Sequence, residues 1–171
     1  MTQTPINVLD DPDPARWIGR EIGTSSWIRV TQPMIDAFGR TTKDWDKMHV
    51  DPGWCKTNSP FGTTISFGFL TVSLLTAMLN EVLARPTDEV ATLNYGFDRL
   101  RLISPVPVDH QVRGHFALKS LTARRPGRYQ AIYAVTVEAE GQSKPALIAD
   151  WLVVTDTSRP RASIDMTDAA E

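Results

Sequence analysis

The stretch "TTISFGFLTVSLLTAMLNEVLARP", residues 63–86, predicts a long helix that other elements must enclose. Thr63 or Thr64 can cap its first turn with a side-chain oxygen, and Pro86 stops it because proline has no amide hydrogen to donate. The apolar side chains spread around most of the circumference of this helix: Ile65, Phe69, Leu70, Val72, Leu74, Leu75, Met78, Leu79, Val82 and Leu83. A helix that is apolar around most of its circumference is buried on most sides, so we expect a sheet to wrap it.

The residues that follow predict this sheet. Three segments alternate apolar and polar side chains with the period of half-buried strands, namely residues 93–97, 112–118 and 131–137. The alternation of apolar side chains shifts by one position near Asp98 and Arg99, which predicts a bulge. The Pro126-Gly127 pair predicts a turn between two strands. Residues 146–154 are apolar on both faces and predict an inner strand, while residues 25–30 supply another. A helix followed by about five antiparallel strands indicates an α+β fold with a curved sheet around one helix.

Length and end composition predict a single domain with two less ordered ends. The 171 residues suffice for one core, although folds of this size often gain stability by pairing. Residues 1–14 are rich in Asp and Pro, and residues 156–171 are rich in Ser, Asp and Ala. We therefore expect a domain at residues 15–155 between a flexible N-terminal segment and a flexible C-terminal tail.

Charge and composition argue against several classes of protein. With a net charge of −2 and a pI of about 5.9, the protein has no excess of positive charge to attract nucleic acid, so we expect no nucleic-acid partner. A single cysteine cannot form an intrachain disulfide, and no basic region followed by an apolar stretch begins the chain, so we expect a cytoplasmic protein. Polar residues interrupt residues 65–84, which argues against a membrane span. Three histidines and one cysteine lack metal-ligand spacing, so no metal is expected.

A second segment, "TQPMIDAFGRTT" at residues 31–42, predicts a short helix. Thr31 is its expected N-cap, Pro33 lies in its first turn and Gly39 is its expected stop. Asp51 and Pro52 then begin another helical turn, as N-cap and first residue. The chain between Gly39 and Asp51 is therefore expected to be irregular.

The stretch "TTKDWDKMHVDP", residues 41–52, lies in this irregular region and brings an acid close to a histidine. Asp44 and His49 are five positions apart, which on a helix is about 500°, or roughly 140° around the axis. A helix would point the two side chains apart, so only a loop lets them converge. The pattern Asp-x-x-x-x-His also occurs by chance, and most such pairs are solvated loop residues.

Three blocks together carry a resemblance to a known family: "TQPMIDAFGRTTKDWDKMHVDP", "FGTTISFGFLTVSLL" and "NYGFDRLRLISPVPV". They resemble the MaoC-like hydratase/dehydratase family, in particular its nodulation protein N-like branch, over about half of the chain, from Trp27 to Gly114. The resemblance implies a hot-dog fold, normally a homodimer with the active site near the interface. It also implies reversible addition of water to a 2-enoyl thioester, carried on coenzyme A or acyl carrier protein, to give the (R)-3-hydroxyacyl product without a further cofactor.

The resemblance assigns roles to four residues. Asp44 and His49 match the catalytic pair, and the family's pattern leaves open here which of them takes the proton from water. Such a hydration needs a base, an acid for the α-carbon and donors for the developing enolate oxygen. The backbone N–H of Gly68 matches the family's oxyanion donor, and Thr76 matches a hydroxyl that supports the catalytic Asp. The chain departs from the pattern at Phe67, where the family commonly has a histidine.

Other candidates have simpler interpretations. Asp46 is an alternative acid near His49, but Asp44 has the family's spacing. His110 and His115 are expected to face solvent, and Cys55 is expected to be a small core residue, because nothing nearby would lower its pKa. Thr76 could instead bond to a carbonyl of its own helix.

Three functions compete at this point. The first is a homodimeric hydro-lyase that hydrates enoyl-CoA or dehydrates its product in fatty acid metabolism. The second is a hot-dog acyl-CoA thioesterase, which shares the fold but cleaves the thioester. The third is a non-catalytic acyl-thioester-binding subunit of a heteromer, suggested by Phe67. The Asp44–His49 spacing favours the hydratase.

Overall fold

In the computed structural model, which describes residues 4–164, the strands form one antiparallel sheet. The strands are β1 Glu21–Thr24, β2 Ile28–Arg29, β3 Glu89–Leu102, β4 Gln111–Arg125, β5 Arg128–Ala139 and β6 Leu147–Thr157. Their order across the sheet is β1-β4-β5-β6-β3, and the short β2 also pairs with β4. β6 is an inner strand, as its two apolar faces predict. β1 was not anticipated, because four residues are too few to establish an alternating pattern.

The α-helices of the described residues all lie between β2 and β3 in sequence. They are α1 Gln32–Thr42, α2 Lys47–Val50, α3 Pro52–Asn58, α4 Gly68–Ser73 and α5 Leu75–Val82, with a single 3₁₀ turn at Pro14–Trp17. α3 begins as expected, since the Asp51 side chain accepts a hydrogen bond from the Trp54 backbone N–H at 2.8 Å. No helix in residues 4–164 is long and apolar enough to cross a membrane.

The core lies between α5 and the concave face of the sheet. Leu75 and Met78 of α5 are almost fully buried, and they pack in one cluster with Phe116, Leu118 and other inward side chains of the strands. Burial of large apolar side chains on both elements supplies most of the energy that holds the layers together. This is the α+β, hot-dog arrangement that the sequence predicts.

Two local features of the sheet match their sequence signals. The register of β3 against β6 shifts between Phe97 and Arg99, where the bulge was expected. β4 and β5 are joined at residues 126–127, with Gly127 at φ +76°. A Cβ on Gly127 would also lie 2.8 Å from the carbonyl oxygen of Thr157, so this turn needs glycine for both reasons.

The predicted start of the central helix at Thr63 or Thr64 is wrong. Residues 64–66 are extended, because Ser66 N–H donates to the carbonyl of Val106 at 2.7 Å and Ile65 forms an antiparallel bridge with Pro107. The helix therefore begins only at Gly68. It is interrupted at Leu74, and it ends at Val82 rather than near Pro86, because Leu83 forms a bridge with the N-terminal segment.

The expectation that this helix is enclosed on nearly all sides is wrong for a single chain. Phe69 is 67% exposed, and Ser73, Thr76, Ala77 and Asn80 are also exposed. The sheet covers one side of α4 and α5 and leaves the other side uncovered. Apolar residues on that second side have no cover within the described chain.

The first helix also passes its predicted stop. α1 continues through Gly39 to Thr42, and Lys43 ends it in the left-handed conformation at φ 60°. A Cβ on Gly39 would lie 2.9 Å from the backbone oxygen of Asp44 and 3.3 Å from the Phe67 ring. Gly39 is thus explained by the close approach of the next loop, not by helix termination.

Both chain ends make contacts with the domain wherever the structure describes them. Ile6 pairs with Leu83, and Arg161 forms ion pairs with Asp88 at 2.5 Å and with Asp10 at 2.6 Å. The backbone N–H of Arg161 also donates to the Tyr129 hydroxyl. The flexibility expected of residues 1–14 and 156–171 stays a prediction, and residues 1–3 and 165–171 lie outside the described residues.

Candidate active site

His49 lies in α2, and its ring orientation is held by a hydrogen bond. α2 begins at Asp46, whose side chain accepts from the Met48 backbone N–H at 2.8 Å. The His49 ring nitrogen Nδ1 lies 2.7 Å from the carbonyl oxygen of Ile65. Because a carbonyl oxygen can only accept, Nδ1 is the nitrogen that carries the hydrogen. In the neutral ring, Nε2 is then left as the acceptor.

An aromatic side chain covers one face of the same imidazole. The ring of Phe67 lies with its centroid 3.9 Å from that of His49 and is tilted by 32°. Phe38 of α1 packs behind it at 5.3 Å. Phe67 is only 5% exposed, so this stack belongs to the core rather than to the surface. The His49 ring is therefore restrained at its edge by Ile65 and on its face by Phe67.

A buried side-chain network holds the backbone that carries His49. Gln32 at the start of α1 donates from Nε2 to the carbonyl of His49 at 2.8 Å. Its Oε1 accepts from the hydroxyl of Thr64 at 2.6 Å, and Thr64 is fully buried. Sequence reasoning missed Gln32 in this role, because no periodicity or motif separates it from an ordinary first-turn residue.

Asp44 lies in the loop between α1 and α2, outside the cavity that contains His49. It follows the left-handed residue Lys43, and its carboxylate accepts from the backbone N–H of Asp46 at 3.1 Å. Asp44 is exposed and does not line the cavity that contains His49. The alternative acid, Asp46, is engaged as the N-cap of α2. Asp44 is therefore close to α2 along the chain, but its carboxylate lies in an exposed turn and not in the cavity.

His49 and Gly68 line one cavity of about 240 Å³. Its other walls include Thr71, Leu102, Ser104 and Val106. Gly68 is the first residue of α4, so its backbone N–H has no acceptor within the helix. A Cβ at Gly68 would overlap Cδ1 of Leu102, so a larger residue here would require the Leu102 side chain to move. The cavity thus combines an imidazole with a backbone donor, as an acyl-transfer or hydration site requires.

Thr76 lines a different cavity. This second cavity, of about 140 Å³, lies between α5 and the strands and shares no lining residue with the first. The Thr76 hydroxyl accepts from Nδ2 of Asn94 on β3 at 3.3 Å, rather than donating to a carbonyl of its own helix as the alternative supposed. In the single chain, Thr76 and His49 are not brought together, and the role of Thr76 stays a prediction.

The remaining titratable candidates have structural roles. Cys55 is fully buried as expected, and burial raises the pKa of its thiol. His110 lies in an exposed turn, as expected. His115 is partly exposed, with its ring nitrogens 2.8 Å from Glu138 and 3.0 Å from the Thr24 hydroxyl. Within residues 4–164, no group of three or more His, Cys, Asp or Glu side chains could hold a metal ion.

Comparisons with known proteins agree with this architecture. The family model described as "MaoC like domain" matches residues 14–141. Nodulation protein N of Rhizobium meliloti is 40% identical over 153 residues, which cover 88% of this chain and 95% of that protein. The 3-hydroxyacyl-thioester dehydratase Z of Mycobacterium tuberculosis is 36% identical over 141 residues, covering 82% of this chain and 92% of that one. The solved structure of a monoamine oxidase regulatory protein from Archaeoglobus fulgidus has a TM-score of 0.70 at 19% identity, covering 92% and 99% of the two chains.

The fold and the cavity together define a hot-dog protein with a histidine beside the first turn of its central helix. The chain belongs to the MaoC-like domain family, because the family model matches well over half of it. The similarity to nodulation protein N and to a thioester dehydratase confirms the resemblance that the three sequence blocks carry.

Proposed function

We propose that this protein is a hydro-lyase that adds water reversibly to a 2-enoyl thioester and forms the (R)-3-hydroxyacyl thioester. The observation that carries the proposal is the hydrogen bond from His49 Nδ1 to the Ile65 carbonyl, which leaves Nε2 as the acceptor of a ring that lines the same cavity as Gly68. The 36% identity to a 3-hydroxyacyl-thioester dehydratase supports the same reaction class. The acyl group arrives on coenzyme A or acyl carrier protein, so no further cofactor is proposed.

The chemistry follows from these groups. His49 Nε2 accepts a proton as the water oxygen bonds to C3 of the enoyl group, and negative charge develops on the thioester oxygen. The Gly68 N–H donates to that oxygen, where a fixed donor is most effective because it needs no reorganisation during the reaction. A proton is then delivered to C2, which completes the addition of one water molecule. The reverse sequence of steps is dehydration.

Asp44 is the second member of the proposed pair. For Asp44 to share the same water, its carboxylate must leave the turn in which it bonds to Asp46 and face the cavity. The Asp44 side chain is exposed, so no core packing opposes this movement. We assign it the orientation of the water, while His49 accepts the proton of the water and then delivers it to C2.

The active form is proposed to be a homodimer. β3 is an edge strand of the described sheet, and an edge with unpaired backbone groups tends to pair with another strand. Leu93 and Tyr95 on this strand are 49% and 59% exposed, and Phe69 on the uncovered side of α4 is 67% exposed. A second copy of the chain would cover both features at once, and it would bury the exposed Phe69.

One assay separates this function from its two rivals. Purified protein is mixed with a short 2-enoyl-CoA, and both the enone absorbance and free thiol are followed. A hydratase removes the absorbance without releasing thiol, and chiral analysis gives the (R)-3-hydroxyacyl product. Release of thiol would favour the thioesterase. Binding of acyl-CoA without turnover, across chain lengths, would favour the non-catalytic subunit.

A further inference from the structure

Phe67 contacts the proposed base without entering the cavity that the substrate would occupy. Its ring lies 3.9 Å from the His49 ring, yet Phe67 is not among the residues that line the cavity with His49. At 5% exposure it is also out of reach of solvent. Phe67 can therefore act on the reaction through the His49 ring that it contacts, or through Gly68, the next residue of the chain.

The segment that carries Phe67 also carries the acceptor of the His49 hydrogen bond. Ile65 accepts from Nδ1 at 2.7 Å, and Phe67 follows two residues later. This segment is itself fixed, because Ser66 N–H donates to the carbonyl of Val106 and Ile65 bridges Pro107. One short extended segment thus holds the imidazole at its edge and on its face.

We propose that Phe67 is a positioning residue that keeps the His49 ring in the orientation in which Nδ1 bonds to Ile65 and Nε2 is free for water. The inference rests on the proposed function for its catalytic consequence. A single hydrogen bond at the ring edge leaves the ring able to rock about that bond, and a packed aromatic face removes this freedom. The family pattern commonly has a histidine at this position. Phenylalanine keeps the flat ring but lacks the two ring nitrogens.

The choice of variants follows from the packing around Phe67. Phe67→Leu removes the flat ring but keeps apolar bulk, and Phe67→His restores a flat ring. Phe38→Leu is the matched control, because Phe38 packs on Phe67 at 5.3 Å in the same core but forms no ring contact with His49 among the described residues.

The first measurement does not depend on turnover. Long-range ¹H–¹⁵N correlation spectra report the tautomer of the His49 ring, and ring-current shifts of its carbon-bound protons report the Phe67 face. The wild type is expected to show one Nδ1–H tautomer with upfield-shifted ring protons. Phe67→Leu is expected to lose the shift and to mix tautomers, whereas Phe38→Leu keeps the wild-type pattern.

The second measurement is steady-state hydration of a short enoyl-CoA. A misplaced catalytic group commonly costs about 10- to 100-fold, so kcat should fall by that order in Phe67→Leu with little change in KM. Phe67→His should recover most of kcat, and Phe38→Leu should stay near the wild type.

The outcomes separate the two proposals. A wild-type His49 ring without the upfield shift, or Phe67→Leu spectra identical to those of Phe38→Leu, would overturn the positioning role even if the enzyme is active. A wild type that hydrates no enoyl thioester would overturn the proposed function, while the spectra still decide on Phe67. If Phe67→Leu does not fold, Phe67→His and the wild-type ring-current shifts decide.

Discussion

The imidazole of His49 donates from Nδ1 to the backbone carbonyl of Ile65 at 2.7 Å. Ile65 lies three residues before the central helix and forms an isolated bridge with Pro107, so the acceptor is fixed from outside the helix. This relationship decides which ring nitrogen is free. The hydrogen bond also connects α2, at residues 47–50, to the segment that leads to Gly68 in the wall of the cavity.

Replacement of Asp44 is expected to slow the reaction without unfolding the protein. Asp44→Asn removes the negative charge that orients the water, and misplacement of a reacting group can cost about 10²-fold in kcat. Asp46→Asn is the matched control, because asparagine can still cap α2 and Asp46 is not assigned to the reaction. Steady-state kinetics on both variants check this. Equal activity of Asp44→Asn and the wild type would remove Asp44 from the mechanism.

Gly68 can be tested together with the side chain that packs over it. Gly68→Ala should lower kcat/KM by at least about tenfold, because the new methyl group overlaps Leu102 and displaces the backbone donor. Leu102 is 49% exposed, so Leu102→Ala should cost little stability. In the double variant the overlap is gone, and part of the activity should return. A Gly68→Ala variant with full activity, or a double variant no better than the single, contradicts this assignment.

The ion pair between Asp88 and Arg161 predicts how stability depends on pH. Hydrogen bonds from Arg161 lower the pKa of Asp88 from its ordinary 3.8 to about 2. A carboxyl with a lowered pKa in the folded state contributes stability above its unfolded pKa, and the contribution is lost as the pH falls through the folded value. The free energy of unfolding should therefore drop between pH 4 and 2.

Two variants test this pH dependence, one at the carboxylate paired with Arg161 and one at an exposed carboxylate. Asp88→Asn should flatten the acid-side loss of stability and lower the plateau above pH 4. Asp13→Asn, at an exposed carboxylate before β1, should leave the curve unchanged. Chemical denaturation at several pH values measures both. Parallel curves for Asp88→Asn and the wild type would show that this ion pair does not stabilise the fold.

The dimer should depend on the exposed edge of β3. Tyr95→Lys places a charge on an edge strand, which opposes pairing with a second strand, and should shift the protein toward monomer. Ile18→Lys is the matched control, since Ile18 is also exposed, at 43%, but lies beside β4 away from β3. Analytical ultracentrifugation decides the question. A wild-type monomer, or an unchanged dimer in Tyr95→Lys, would contradict the proposed interface.

Features that depend on neighbours in sequence could be predicted, and features that depend on distant pairing could not. The β3 bulge near Arg99 and the turn at Gly127 follow from local phase and turn chemistry. The start of the central helix could not be predicted, because residues 64–66 are held extended by residues about forty positions later. A capping threonine is present there, but pairing with Val106 and Pro107 outweighs its helix signal.

The same distinction holds at the site. The family's spacing identified His49 and Gly68, which line one cavity. It did not indicate that Asp44 would lie outside that cavity, or that Thr76 would bond to Asn94. Those positions depend on the left-handed turn at Lys43 and on the packing of β3 against α5, neither of which has a local signature.

The most direct test of the central claim is loss of enone absorbance from a short 2-enoyl-CoA in the wild type, His49→Ala and His110→Ala. His49 supplies the acceptor for the proton of water, so its loss should lower kcat by about 10²- to 10⁴-fold while fold and oligomer are kept. His110 lies in an exposed turn and should be silent. An inert wild type, or a His110→Ala variant as impaired as a folded His49→Ala variant, would contradict the account.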